Sequence, residues 1–115
     1  MKQAGQVIVF RFPQTDLGEG NLRPAVLLNK LPGEYDDWLI CMVSSQMHQY
    51  IAGFDEIIQE GDSDFGESGL KMTSVVRVGR LAVISGEMLP GAIGRVSDER
   101  MGRIKKNLLN WLSEK

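Results

Sequence analysis

The apolar runs of this chain are short and are separated by turns rich in glycine and proline. Gln6 to Phe12 alternates imperfectly between apolar and polar residues, is rich in Val, Ile and Phe, and ends at Pro13, which cannot donate to a ladder. Ala25 to Leu28 is a continuous apolar run opened by Arg23-Pro24, where the proline holds Arg23 extended. Leu31-Pro32-Gly33-Glu34 then turns the chain, and Trp38 to Ser44 reads as the next strand. Met47-His48-Gln49-Tyr50 reads as one helical turn, and Phe54 to Glu60 as an exposed edge strand. Thr73 to Val78 is Val-rich, Gly79-Arg80 is a bulge or turn, and Leu81 to Ile84 continues extended. Pro90-Gly91 leads into the short segment Ala92 to Val96.

Only the last stretch has a helical period. Ser97 has the chemistry of an N-cap, with Asp98 and Glu99 in the first turn where the helix dipole favours them. Met101, Ile104, Leu108, Trp111 and Leu112 follow as an apolar stripe expected to pack on a sheet. Several short strands and one terminal helix predict a mainly β protein, a small antiparallel barrel or curled sheet.

Within this frame, residues 12–46 have the shape of a site. Arg23 opens one apolar strand, and Ser44, Ser45 and Gln46 close another. If these strands pair antiparallel, the start of one lies near the end of the other, and the polar groups meet at one edge. The connecting segment Thr15-Asp16-Leu17-Gly18-Glu19-Gly20-Asn21 is turn chemistry throughout, suited to a hairpin connection or a binding loop.

Composition narrows the chemistry. The 115 residues make one domain, 1–115, long enough to bury a core without cross-links. One Cys and one His exclude an internal disulfide and a Cys/His zinc cage, and fit a reducing intracellular setting. Cys41 lies in an apolar run and reads as a buried, inert thiol. The N-terminus lacks the apolar core of a signal peptide, and no uncharged run is long enough to cross a bilayer. Glycine-rich phosphate loops and carboxylates at metal-ligand spacing are absent. Net charge is −2, so any nucleic-acid site must be a local basic feature. The six acidic residues between Asp55 and Glu67, with no basic one, read as a solvated loop or a charged edge that resists pairing with other chains. His48 follows Ser44 by four residues, and as a lone histidine reads first as a surface residue. The remaining candidates are the arginines. Arg23 and Arg77 each lie in a strand pattern, and a guanidinium binds phosphate bidentately at any physiological pH.

These segments resemble, in order, the motifs of the MazF/PemK family of toxin endoribonucleases. The resemblance rests on Gly5-Gln6-Val7-Ile8-Val9, Phe12-Pro13-Gln14-Thr15-Asp16-Leu17, Leu22-Arg23-Pro24-Ala25-Val26-Leu27 and Val43-Ser44-Ser45-Gln46. Gly69-Leu70-Lys71 through Ser74-Val75-Val76-Arg77-Val78, then Ile93-Gly94-Arg95-Val96-Ser97, complete it. It implies an SH3-like barrel with a C-terminal α-helix and a homodimer in the cytoplasm. It also implies a cognate antitoxin that neutralises the protein, with DNA contacted only through the antitoxin complex. The implied activity is cleavage of single-stranded RNA without metal or other cofactor, by attack of the ribose 2′-hydroxyl on the adjacent phosphate. Products are a 2′,3′-cyclic phosphate and a 5′-hydroxyl.

Carried over by motif, Arg23, Ser44 and Arg77 are the catalytic residues, with Arg23 stabilising charge on the phosphate and Ser44 standing where many members have Thr. Phe12, Gln14, Thr15, Asp16, Ser45, Gln46 and Arg80 are the RNA-binding set, with Lys71 adding to the basic cluster. Some branches place an Asp, as general base, two residues after the Arg77 equivalent. Here that position is Gly79, which leaves His48 and Asp16 as candidate bases. Two other readings use the same scaffold. One is a gyrase poison of the CcdB type acting through the helix surface around Trp111, and the other is a weak relative kept as a binding module.

Overall fold

A computed structural model describes residues 2–11 and 22–114. Their strands are β1 (Gln6–Arg11), β2 (Leu22–Lys30), β3 (Asp37–Ser44), β4 (Glu56–Ile58), β5 (Ser74–Ser85) and β6 (Ala92–Arg95). They form one antiparallel sheet in the order β4-β5-β3-β2-β1-β6. The sheet curls into a half-barrel, as expected of a mainly β chain with short strands and turn punctuation. Helix α1 (Phe65–Ser68) is one turn, and α2 (Asp98–Leu112) is the terminal helix. Ser97 caps α2, its hydroxyl accepting from the Arg100 amide at 3.1 Å.

Strand alternation sorts the core onto two faces. Val7, Val26, Leu28, Cys41, Val43, Val76 and Val78 cluster with Met101, Ile104 and Leu108 of α2. Ile8, Phe10, Ala25, Leu27, Ile40 and Met42 form the opposite face, with Trp38 and Leu89. The helical stripe is therefore core only in part. Trp111 and Leu112 are 49% and 61% exposed, because α2 runs past the edge of the cluster that buries its first three turns. Cys41 is fully buried, and that burial, helped by nearby Asp55, pushes its thiol up to about 12, so it is inert.

Two other expectations need correction, and one open choice is decided. The edge strand is shorter than its alternation implies, spanning Glu56–Ile58, because Asp55 turns inward and is buried. Of the two alternatives at Gly79-Arg80 the structure has the bulge, and the extended stretch after it belongs to the same strand, 74–85. The acidic segment is not a solvated loop. It folds around Arg100, which is 5% exposed. The Arg100 Nε and one terminal nitrogen donate to the two Asp64 carboxylate oxygens at 2.8 and 3.0 Å. Its other bonds reach Glu56 at 3.1 Å, Asp62 at 3.0 Å and the Ile57 carbonyl at 2.8 Å. Those contacts occupy all five N–H donors that a guanidinium has. The bond from Arg100 holds the Asp64 carboxyl down at about 2, against the opposing effect of burial.

Close backbone contact joins the two ends of the sheet. A Cβ at Gly94 of β6 would run into the Glu67 and Ser68 carbonyls of α1, and one at Gly69 into the Ile93 carbonyl. Gly69 also has φ +75°, which glycine adopts without strain. The segment leaving β4 thus lies directly on β6.

Candidate phosphate-binding face

The register places the candidate residues in two adjacent rows. Ile8 faces Ala25, Ala25 faces Met42, and Met42 faces Arg77. In the next row Phe10 faces Arg23, and Ser44 faces Val75. Continuing the β2–β3 register by two residues sets Arg23 opposite Ser44. Met42, Ala25 and Phe10 belong to the face turned away from α2, so alternation puts Arg23, Ser44 and Arg77 on that same face. Arg23 and Arg77 are separated by β3 alone and offset by two residues along it, which places their backbones about 12 Å apart on the sheet. Ser44 lies on the strand between them.

Charge pairing distinguishes these arginines from the others. Arg95 meets Asp98 at 3.2 Å, Arg103 meets Glu56 at 2.9 Å, and Arg100 is saturated. Arg23, Arg77 and Arg80 form no ion pair with any described residue. Arg77 is half-buried, and its Nε is buried without a hydrogen-bond partner. A buried donor left open costs about 1–3 kcal/mol, which an anion at this position would recover. The Ser44 hydroxyl accepts from the Gln46 amide at 3.0 Å, which leaves its own hydrogen free to donate.

Ser45 and Gln46 are exposed at the end of β3, where Gln46 precedes the single-turn 3-10 helix Met47–Gln49. His48 is exposed on that turn. Arg80 is exposed in the β5 bulge, and Lys71 is exposed in the loop before β5. Phe12, Gln14, Thr15 and Asp16 lie outside the described residues. Gly79 is turned toward α2. A Cβ there would lie 3.0 Å from Phe54 Cε2, and Phe54 stacks edge-on against Trp111 at 5.8 Å between ring centres. A side chain at 79 would therefore meet an aromatic pair behind the sheet. Ile51, Gly53, Phe54, Gly79, Asn107, Asn110, Trp111 and Glu114 line a groove there of about 430 Å³. No group of three or more metal-ligating side chains is arranged to hold an ion among the described residues. No helix among them is long and apolar enough to cross a membrane.

Two features of this region escape sequence reading. Asp55 bonds only to backbone amides, and Arg100 sits in the first turn of α2. The one available signal for Arg100 was an acidic run without a cation of its own.

The class so defined is a curled antiparallel half-barrel with a terminal helix, with Arg23 and Arg77 on one face and without an ion pair among the described residues. The model of the PemK-like, MazF-like toxins of type II toxin–antitoxin systems matches residues 3–112, and the chain belongs to that family. A solved structure described as an endoribonuclease in complex with its cognate antitoxin, from a mycobacterial species, has the same fold. It aligns with a TM-score of 0.69 at 17% identity, over 100% of this chain and 98% of that one. A search of curated proteins returns no match.

Proposed function

We propose that this single toxin domain, spanning residues 1–115, is an endoribonuclease that cuts single-stranded RNA on the face holding Arg23, Ser44 and Arg77. The observation that carries the reading is the pair of arginines without carboxylate partners among the described residues, on one face, with a serine hydroxyl between them. Three other arginines of the same chain are neutralised by acids. Cations left open in this way suit a ligand that brings its own negative charge, and the family supplies RNA as that ligand.

In the proposed reaction the 2′-hydroxyl oxygen attacks the adjacent phosphorus and gives up its proton. The P–O5′ bond then breaks. The upstream fragment keeps a 2′,3′-cyclic phosphate at its 3′ end, and the leaving oxygen of the downstream fragment takes a proton to become a 5′-hydroxyl. Arg23 and Arg77 stabilise the added charge on the non-bridging oxygens, and Ser44 donates a hydrogen bond to one of them. The nucleophile belongs to the substrate, so the protein's part is positioning and charge stabilisation. Ser45, Gln46 and Arg80 bind the RNA strand, and the family motif gives Phe12, Gln14, Thr15 and Asp16 the same role. The protein works as a cytoplasmic homodimer, a cognate antitoxin blocks this face, and DNA is reached only through that complex.

The test is digestion of a mixed RNA pool by purified, antitoxin-free protein in EDTA, with the chemistry of the new ends determined. Cyclic-phosphate ends that vanish in Arg23→Ala support the reading. An intact RNA pool refutes it, and trapping of gyrase–DNA complexes by the same preparation would move the function to the Trp111 surface.

A further inference from the structure

We infer that Asp55 is a positioning residue for Arg77. It acts from behind the sheet by pinning the β5 bulge that aims the arginine at the RNA-binding face. The inference rests on the function proposed above for Arg77, but the pin itself is a matter of geometry.

Between Met42↔Arg77 and Cys41↔Leu81 the register of β3 against β5 shifts. Val78, Gly79 and Arg80 consequently have no partner residue on β3, and the β4 pairing begins only at Val76. The Val78 amide would be an orphan donor inside the core, since Val78 is fully buried. The Asp55 carboxylate meets it. One oxygen accepts from the Val78 amide at 3.0 Å, and the other accepts from the Ile51 amide at 3.0 Å. Asp55 is 4% exposed and forms no ion pair with any described residue. A carboxylate with no cation, buried to bond two backbone amides 27 residues apart (Ile51 and Val78), is an expensive way to close a loop. An apolar residue with a regular strand would be cheaper.

What the arrangement secures is the direction of Arg77. Its backbone adjoins the pinned amide, and its side chain leaves on the opposite face from Asp55. A bulge re-aims the side chains beside it, and its geometry is only as definite as the bonds that hold it. Asp55 supplies the bond that the missing strand partner does not.

Asparagine at this position is nearly isosteric but presents an amide nitrogen to one of the two N–H groups. Asp55→Asn should therefore break one bond and loosen the bulge. The test has two arms. In the first, amide hydrogen exchange is measured by NMR. The wild-type Val78 amide should be as protected as the β3–β5 ladder although it has no strand partner, and Asp55→Asn should lose at least tenfold of that protection. Fast exchange of Val78 in the wild type overturns the pin, and this measurement needs no variant to fold.

The second arm is a cycle of RNA cleavage rates at saturating RNA. Asp55→Asn should lower kcat about tenfold or more in the wild-type background, with little change in KM, and have almost no further effect beside Arg77→Ala. An equal loss in both backgrounds means Asp55 only stabilises the fold, and overturns the positioning role. If the wild type cuts no RNA, the functional proposal fails. The positioning role then stands or falls on whether Asp55→Asn changes both Val78 exchange and the chemical shift of the Arg77 Nε proton.

Discussion

Replacing Arg100 with alanine tests how the fold is held together. The guanidinium is almost wholly buried and holds Asp64, Asp62, Glu56 and the Ile57 carbonyl at once. Asp64 and Glu56 have side-chain exposures of 7% and 15%; Glu56 keeps its ion pair with Arg103 at 2.9 Å, but removing Arg100 leaves the nearly buried Asp64 carboxylate without a cation. Breaking a buried pair from one side costs about 3–5 kcal/mol. For 115 residues the unfolding entropy is roughly 0.24 kcal/mol per degree, so the midpoint should fall by about 12–20 °C.

Acid titration supplies an independent readout. The Asp64 carboxyl sits at about 2, below its ordinary 3.8, so the folded state binds its proton less readily than the unfolded chain does. Its contribution is complete well above pH 4 and is lost as the pH falls toward 2, amounting to about 2 kcal/mol. In Arg100→Ala the dominant cause of that depression is gone, and the loss between pH 5 and pH 2 should shrink accordingly. Circular dichroism melts at pH 7 and along the acid series measure both. A midpoint within about 3 °C of wild type at pH 7, with an unchanged acid slope, would refute the account of Arg100 as the centre of the fold.

Four further outcomes follow from the geometry. Arg23→Ala should lower RNA cleavage by about 100- to 1,000-fold in single-turnover assays while leaving the melting midpoint within a few degrees of wild type. Gly79→Asp should not raise RNA cleavage above the wild-type rate, because the new side chain meets Phe54 behind the sheet; the clash should cost about 1–3 kcal/mol in urea denaturation. Gly94→Ala should be at least as damaging, since its Cβ meets the α1 backbone rather than a movable side chain, and a soluble, normally melting variant would contradict the close contact. Cys41 should resist thiol reagents in the native protein and react only as fast as the chain unfolds, which mass spectrometry of timed labelling would show.

Much of the architecture was readable before any coordinates because its causes are local. Pro32 and Pro90 lie in the turns between strands, Ser97 announces α2, and Gly79-Arg80 announces the bulge. The opposition of Arg23 and Ser44 was also readable, since it needs only that two adjacent strands pair antiparallel. What stayed hidden depends on distant partners. An acidic run looks the same whether water or an arginine far along the chain neutralises it, so Asp62 and Asp64 read as solvated. Asp55 fits the alternation of an edge strand, and only the missing partner of Val78 explains why it turns inward. Trp111 obeys the helical period, yet the core ends before it.

The Arg100 cluster also bears on the order in which the protein assembles. Its bonds to Glu56 and Asp64 bridge 44 and 36 residues of chain, whereas the β1–β2–β3 meander is built from neighbours in sequence. Loop-closure entropy must be met before such distant contacts form, which places the cluster late on the folding route. Interactions made after the transition state leave the folding rate almost untouched and govern how fast the native state comes apart. The buried arginine thus sets the lifetime of the folded toxin. Its loss should appear as faster unfolding in a chevron plot, with the refolding arm hardly moved.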